Sequence, residues 1–161
     1  MNIKALAARL DHLESRSAIE TLISAYANAF DRLDADLLQQ IWHQDSTLDL
    51  PGFGSAQSRD EILRMAEQSW QQMPHMHHWM ANALIQIDGD SAAGTVAANC
   101  LFHDIEQGPV QVSGLYHDRF ERRYGEWRFV SRRFELHFLT PLKDWAPVAG
   151  SELFKSTSIP G

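Results

Sequence analysis

The sequence has little of several features that define whole classes of protein. It holds one cysteine, Cys100, among 161 residues, so no disulfide can form within the chain, and we expect a reducing, cytoplasmic location. No run of about 18 apolar residues is present, so we expect no membrane-spanning helix. The N-terminal residues also lack the apolar stretch of a signal peptide.

Positive charge is scarce as well. The chain has 14 Lys and Arg against 21 Asp and Glu, which gives a formal net charge of -7 at pH 7. Nucleic acids and anionic membranes select basic surfaces, so we expect neither as a partner. The hydrophobic content of 44% is ordinary for a globular protein. The length suits a single domain over residues 1–161, with a core at about 13–145 and a tail at 146–161.

Helical patterns occupy the first part of the chain. A weakly amphipathic helix is predicted over residues 3–13, and a stronger one begins after the capping-box pair Ser17 and Glu20. An apolar row on this second helix ends at Asp31. A carboxylate at the end of a buried row needs a partner, but the spacing fits equally well a solvated Asp31 beyond the end of the helix.

Two shorter helices should follow. Asp34 is predicted to cap a helix that ends near Trp42, and Ser58 to cap one that continues to about Gln72. A short strand is expected between them, over residues 47–50. We expect Pro74 to end the third helix.

The second half of the chain predicts a sheet. After residue 74 the apolar period changes to two, and four long strands are predicted at 77–87, 92–105, 110–123 and 127–139. Short turns should join them as antiparallel hairpins. This order predicts an α+β fold, a cone-like α+β barrel with N-terminal helices packed against a strongly curved antiparallel sheet. Apolar residues of both parities suggest that both faces are covered, so we expect a homo-oligomer, a dimer or a trimer.

Three of the eight histidines lie close together at the helix-to-strand junction: His75, His77 and His78. Histidine has an unperturbed pKa of about 6.5 and exchanges protons near neutral pH. Successive side chains of a strand point to opposite faces, and His77 has the parity of Trp79 and Ile85, which belong to the more apolar row. Parity alone therefore favours His77 as the inward residue. The spacing of His75 and His77 also resembles that of metal ligands on a strand, with His103, His117 or His137 as further candidates. No Glu or Cys completes a known pattern, so we expect no metal.

Several short patterns together resemble a known family. They are the helix ending at Asp31, Ile41-Trp42, His78-x-x-x-Asn82, Gly114-x-Tyr116-x-Asp118 and Arg123-x-Gly125-x-Trp127-Arg128. Their order over residues 13–145 resembles the SnoaL-like branch of the nuclear-transport-factor-2-like superfamily. Within it, the chain is most similar to bile acid 7α-dehydratases and hexachlorocyclohexane dehydrochlorinases.

The resemblance implies a set of catalytic residues. Both enzyme groups use an Asp–His dyad for elimination, and its positions match Asp31 and His78. Tyr26 stands where the dehydratases have a catalytic tyrosine and the dehydrochlorinases a lysine. An arginine late in the last strand matches Arg132, with Arg133 as the alternative if a bulge intervenes. The resemblance therefore favours His78 over His77, against the parity of the strand.

The chemistry of these residues is consistent with β-elimination. A neutral imidazole at His78 can take a proton from carbon, and Asp31 can fix its tautomer. Arg132 lies in an apolar strand row with Val130 and Phe134, which indicates a cavity wall, although an ion pair with Glu135 or Asp118 explains it equally well. We also expect contacts with the substrate from a second group of residues: Trp42, Asn82, Tyr116 and Phe134.

The leading expectation is a cofactor-free lyase that acts on a hydrophobic carbonyl compound of steroid-like or polycyclic shape. An isomerase or cyclase of polyketide type that uses the same base is the first alternative. A non-catalytic domain that binds a small ligand or supports assembly is the second. Cys100 lies in the middle of a strand and is expected in the core. An open cavity with convergent polar groups favours an enzyme, and a cavity filled by Phe and Leu side chains favours a scaffold.

Overall fold

The N-terminal segment forms one continuous helix, where the sequence predicted two. The structure, a computed structural model, describes residues 2–143 and 145. Helix α1 spans Ile3–Arg32, with Asn2 as its N-cap. Ser17, the predicted start of a second helix, lies inside α1, where its carbonyl accepts the hydroxyl of Thr21. No Gly or Pro interrupts this stretch, so the helix continues although buried residues begin only at Ser15.

The two shorter helices are capped as the sequence predicts. Asp34 accepts a hydrogen bond from the backbone N–H of Leu37 at the start of α2 (Ala35–Gln40). Ser58 accepts one from the backbone N–H of Glu61 at the start of α3 (Arg59–Gln72). Both caps satisfy backbone donors that a helix leaves without internal partners. No described helix is long and apolar enough to cross a membrane.

The sheet has six strands in the order β2-β1-β6-β5-β4-β3. The strands are β1 (Trp42–Leu50), β2 (Gly54–Ala56), β3 (His75–Asp88), β4 (Ser91–Asp104), β5 (Gly108–Arg123) and β6 (Glu126–Pro141). The four long strands form the predicted antiparallel meander. Two details of the predicted barrel are wrong: β1 pairs with β6 in parallel, and β2 and β3 remain the two edges of an open sheet. A parallel pair is possible because a long connection separates β1 from β6.

A bulge in β3 decides which face of this strand is buried. Asn82 has a positive φ of 53°, and the pairing of β3 with β4 shifts register between Ala81 and Leu84. A bulge adds one residue and exchanges the two faces of a strand. Inward residues are therefore even-numbered before the bulge and odd-numbered after it: Met76, His78 and Met80, then Ala83, Ile85 and Ile87. The single apolar row predicted from Trp79 to Ile87 is wrong for this reason.

Helices α1 and α3 cover the concave face of the sheet and leave a cavity beneath them. The core includes Ile19, Ile23 and Phe30 from α1 and Ile62 and Ala66 from α3. The long strands add inward residues to the same core: Val96, Val112, Phe120 and Phe129. The fold therefore places the C-terminal end of α1 against the start of β3, which brings the predicted Asp and His together.

The convex face of the sheet carries apolar side chains that the described residues do not cover. Trp79, Leu84 and Phe138 are at least half exposed on this outward side. Apolar area of this kind marks an interaction surface, so the predicted dimer or trimer should use it. Light scattering at micromolar protein should give two or three times the chain mass of 18.3 kDa. A mass of one chain under those conditions contradicts the prediction.

Candidate active site

An apolar cavity lies between the helices and the concave face. Its empty space, including the open mouth, is about 580 Å³. Aromatic, aliphatic and methionine side chains form most of the wall: Phe30, Leu50, Phe53, Met65, Met73, Met76, Phe102, Val112 and Phe134. The remaining wall residues carry hydroxyl, thiol or imidazole groups: Tyr26, Ser69, His78, Cys100 and Tyr116. A hydrophobic wall with few polar groups is typical of a small-molecule site.

Asp31 and His78 meet at this cavity. One carboxylate oxygen of Asp31 lies 2.6 Å from Nδ1 of His78, and the other accepts the backbone N–H of His78 at 3.0 Å. The carboxylate thus holds both the ring and the backbone of His78. An Nδ1–H that donates to Asp31 fixes the tautomer in which Nε2 carries the lone pair. The His78 side chain is only 5% exposed, and it contributes to the cavity wall.

His77 occupies the other face of β3. Its Nδ1 lies 3.8 Å from Asp31, its side chain is 57% exposed, and its ring contacts that of Trp79. The bulge at Asn82 explains why parity favoured the wrong histidine: the residues that set the apolar row lie mostly beyond the bulge. The structure brings His78, and not His77, to the cavity. The catalytic role of His78 remains a prediction.

Two buried tyrosines lie beside the histidine. Burial raises the pKa of Tyr26 to about 12, although the Arg132 cation and a hydrogen bond with Tyr116 oppose the shift. Burial also raises the pKa of Tyr116 well above its ordinary value of 10.0. Both phenols therefore stay protonated near neutral pH and can donate hydrogen bonds to a ligand. The ring of Tyr26 contacts that of His78 edge-on, with 6.3 Å between centroids.

These pKa shifts predict the behaviour of the folded protein in alkali. Of the three tyrosines, Tyr26 and Tyr116 should hold their protons well above pH 10, and unfolding should release them. Because the pKa of Tyr26 is raised from 10.0 to about 12 on folding, its contribution to stability is present below pH 10 and is lost as the pH rises toward 12. Tyrosinate absorbance measured before and after addition of denaturant tests this. Full absorbance in the native protein at pH 10.5 to 11 contradicts it (about one unit below the folded pKa).

Arg132 is not part of the cavity wall, so the first of the two interpretations of its position in the strand is wrong. It is fully buried, and its guanidinium forms two hydrogen bonds of 2.8 and 2.6 Å with the buried carboxylate of Asp118. Burial disfavours its charge, but Asp118 more than offsets this, and the pKa of Arg132 lies above its ordinary value. The ion pair that the sequence left open is therefore present. A register shift in β6 near residues 129–131 also removes Val130 from the same row. Arg133 is 71% exposed.

The guanidinium of Arg132 packs against the rings of Tyr26 and Tyr116. It lies 4.2 Å from the ring centre of Tyr26, 4.2 Å from that of Tyr116 and 4.5 Å from that of Phe129. Its Nη1 is buried without a hydrogen-bond partner among the described residues. Arg132 therefore contacts two residues of the cavity wall but does not itself line the cavity. A direct contact with substrate would require a rearrangement.

Two of the four predicted substrate-binding residues line the cavity, and the other two do not. Tyr116 and Phe134 line the cavity. Trp42 is fully buried in the core and stacks on Phe129, with 4.8 Å between ring centroids. Asn82 lies at the β3 bulge in an exposed groove beside α1, away from the cavity. The predicted contact of Trp42 and Asn82 with the cavity is therefore wrong, because Trp42 is a core residue and Asn82 forms the bulge of β3.

Sequence reasoning missed the far wall of the cavity. Met65 and Ser69 come from α3, Met73 is the residue that caps its C-terminal end, and Phe53 comes from the turn between β1 and β2. The helical period could have placed Met65, Ser69 and Met73 on one face, since they repeat every four residues. Nothing in the sequence shows which face of α3 meets the cavity. Cys100 lies in the wall beside His78, and burial raises its thiol pKa to about 12, so it is an inert wall residue.

The other histidines do not form a metal centre among the described residues. No group of three or more His, Cys, Asp or Glu side chains there has the geometry to hold an ion. The rings of His75 and His103 are 6.3 Å apart. His117 and His137 each contact Glu135 on the outer face, at 2.7 and 2.8 Å.

Comparison with known proteins agrees with this architecture. The SnoaL-like domain family matches residues 11–133, well over half of the chain. The chain belongs to the SnoaL-like family. The predicted resemblance and the α+β fold are thereby confirmed. This SnoaL-like protein is also 26% identical over 136 residues to the gamma-hexachlorocyclohexane dehydrochlorinase of Sphingobium indicum, a match that covers 83% of this chain and 87% of that one.

Solved structures show the same likeness. The crystal structure of LinA superposes with a TM-score of 0.82 at 27% identity and covers 87% of this chain and 99% of that one. A hexachlorocyclohexane dehydrochlorinase of type 3 from Novosphingobium barchaimii gives 0.82 at 25% identity, covering 88% and 99%. A putative scytalone dehydratase from Novosphingobium aromaticivorans gives 0.74 at 19% identity, covering 88% and 97%, and shows the fold alone.

Proposed function

We propose that this SnoaL-like protein is a cofactor-free lyase that catalyses β-elimination on a small hydrophobic substrate. The observation that carries the proposal is the 2.6 Å contact between Asp31 and His78 at the wall of an apolar cavity. A base must lie where a substrate carbon can reach it, and its tautomer must leave the reactive nitrogen unprotonated. His78 meets both conditions when its Nδ1–H donates to Asp31.

In the proposed reaction Nε2 of His78 removes a proton from a substrate carbon. The electrons of the carbon–hydrogen bond form the new double bond, and the leaving group departs from the neighbouring carbon with the electrons of its own bond. The imidazolium then gives its proton to a departing hydroxide or to solvent. Asp31 stabilises the imidazolium that forms, because its carboxylate lies against Nδ1. No cofactor has a role in this scheme.

Tyr26 and Tyr116 are the proposed hydrogen-bond donors to the substrate. Their pKa values are raised by burial, so each is a neutral donor that can hydrogen-bond a leaving hydroxyl or a substrate carbonyl. We propose that Arg132 acts on them as a positioning residue, because it packs against both rings. A phenol pair suits an oxygen-bearing substrate, which favours dehydration of a β-hydroxy carbonyl compound of steroid-like or polycyclic shape.

Elimination of hydrogen chloride is the second candidate chemistry. The relatives in Sphingobium indicum are named for dehydrochlorination of hexachlorocyclohexane, and the same base serves either leaving group. An assembly role finds less support, because the Asp31–His78 pair and two protonated phenols meet at the wall of the cavity. Isomerisation or cyclisation would begin with the same proton abstraction.

A paired assay tests the proposal. In the first assay the wild-type protein is incubated with hexachlorocyclohexane isomers, and chloride release is measured. In the second it is incubated with a panel of β-hydroxy ketones and steroid-like enones, and water loss or double-bond migration is measured. Turnover of a β-hydroxy ketone supports the dehydratase, and chloride release supports the dehydrochlorinase. Several tight binders without turnover contradict the lyase and indicate a binding protein.

Replacement of Asp31 with asparagine should preserve substrate binding and reduce turnover. The amide keeps the size of the side chain but cannot stabilise an imidazolium, and its NH₂ favours the opposite tautomer of His78. We expect a fall in kcat of about 100- to 10,000-fold with little change in KM. A rise in KM at constant kcat for Asp31→Asn argues against the dyad.

Replacement of Tyr26 with phenylalanine should lower kcat by about tenfold, since it removes one hydrogen bond and keeps the ring packing.

A further inference from the structure

The turn between β1 and β2 places one large aromatic side chain at the mouth of the cavity. Phe53 lines the cavity and is also 36% exposed, so its ring lies between the cavity and solvent. The ring contacts that of Phe102 on β4, with 5.8 Å between centroids and 76° between planes. Three strands separate β2 from β4 in the sheet. The contact between Phe53 and Phe102 therefore crosses the concave face from one part of the sheet to another.

Phe102 connects this contact with the histidine of the candidate site. The ring of Phe102 lies 5.9 Å from that of His78, measured between centroids, and both residues line the cavity. A molecule that enters between Phe53 and Phe102 therefore arrives beside His78.

The base and the tip of this turn are held differently. At the base, a Cβ on Gly54 would lie 2.9 Å from Sδ of Met65, so this glycine packs closely against α3. At the tip, a Cβ on Gly52 would meet no atom within 4 Å, and the N–H of Phe53 donates to the carbonyl of Leu50 inside the turn. The φ values of the two glycines are 89° and 139°, which glycine adopts at little cost. The side chain of Phe53 can therefore move on a fixed base.

The turn between β4 and β5, which follows Phe102, is fastened to α3. The backbone N–H of Ile105 donates to the carbonyl of Gln72 at 3.0 Å, and Nε2 of Gln72 donates to the carboxylate of Asp104 at 3.2 Å. The same carboxylate accepts two backbone N–H groups of its own turn. Phe102 is thus the fixed member of the aromatic pair, and Phe53 is the member that can move.

We propose that Phe53 is a gate residue whose ring narrows the mouth of the cavity and limits the size of the molecules that reach His78. Passage between two phenyl rings favours neutral, apolar molecules, and an aromatic molecule can replace the lost ring contact with its own. An edge-to-face pair stabilises the closed position by a factor of about two to ten, so the gate should open often. The proposal concerns entry to the cavity and does not depend on which reaction follows.

Modification of Cys100 measures entry without an enzyme assay. Cys100 is the single cysteine of the chain, and it lines the cavity. A methanethiosulfonate forms a disulfide with the thiolate and releases methanesulfinate, and the mass of the intact protein gives the rate. Burial raises the pKa of this thiol to about 12, so the thiolate is scarce and the reaction is slow enough to follow. Two neutral reagents are compared, one with a methyl and one with a naphthylmethyl group.

Replacement of Phe53 with alanine should speed modification by the naphthylmethyl reagent about tenfold and change the rate of the methyl reagent by about twofold or less. Phe53→Trp should slow the naphthylmethyl reagent below the wild-type rate, because a larger ring narrows the mouth further. Ile105→Ala is the matched control, since it removes an apolar side chain that is 58% exposed on the fastened turn, and both reagents should react as with wild type.

Two results overturn the proposal. The first is an unchanged rate for both Phe53 variants, or a gain of the same size in Ile105→Ala. The second is equal acceleration of both reagents by Phe53→Ala, because general unfolding exposes Cys100 to small and large reagents alike. Thermal denaturation of each variant, measured beside the modification rates, shows whether such unfolding has increased.

Discussion

Replacement of His78 with alanine should abolish elimination while the protein remains folded. A positioned general base contributes about 100- to 10,000-fold to rate, and no other imidazole among residues 2–143 lines the cavity to replace His78. The loss should appear in kcat, since the base acts in the transition state and contributes little to binding of the substrate. Turnover of the identified substrate, measured beside the wild type, gives the ratio.

The control for this variant is the neighbouring histidine. His77 is 57% exposed and 3.8 Å from Asp31, so His77→Ala should retain most of the activity. Circular dichroism should show native secondary structure for both variants. His78 packs against the rings of Tyr26, Phe30 and Phe102, so a moderate loss of stability is expected without unfolding. A pattern in which His77→Ala is inactive and His78→Ala active would reverse the assignment.

Loss of Asp118 should have the largest effect on stability. Its carboxylate is the only described anion that hydrogen-bonds the buried guanidinium of Arg132. Removal of one partner of a buried ion pair leaves an uncompensated charge and costs about 3–5 kcal/mol. We expect Asp118→Leu to lower the free energy of unfolding by that amount and Tm by roughly 10 °C for a domain of this size.

Two further variants show whether the cause is the charge. The double variant Asp118→Leu/Arg132→Met removes both charges and should recover much of the lost stability, since apolar replacements of a buried pair are often neutral. Arg133→Met removes an exposed cation 3.5 Å from Asp49 and should change stability by less than about 1 kcal/mol. Equal destabilisation by Asp118→Leu and the double variant contradicts the ion-pair explanation.

The parts of the fold that follow from local pattern could be predicted from the sequence. The caps at Asp34 and Ser58 and the four-stranded meander depend on residues close to one another in the chain. The parallel pairing of β1 with β6 could not be predicted, because it joins segments that are distant in sequence. Continuity of α1 through Ser17 was also missed, because a capping-box pattern permits a helix start without requiring one.

The candidate site was harder to predict because it depends on one backbone irregularity. Asn82 at positive φ exchanges the faces of β3, and strand parity counted across that point favours His77. Family resemblance identified His78 because it compares positions and does not count parity. The partner of Arg132 was left open between Glu135 and Asp118, since the register of β5 with β6 also shifts within these strands.

The most direct test of the account is deuterium exchange into a bound ligand. A polycyclic or β-hydroxy ketone that binds the wild-type protein is incubated in D₂O, and exchange at its acidic carbon is followed by NMR. We expect exchange with wild type and His77→Ala, and none above the buffer rate with His78→Ala. Exchange that continues unchanged in His78→Ala would contradict the central claim that His78, held by Asp31, is the base.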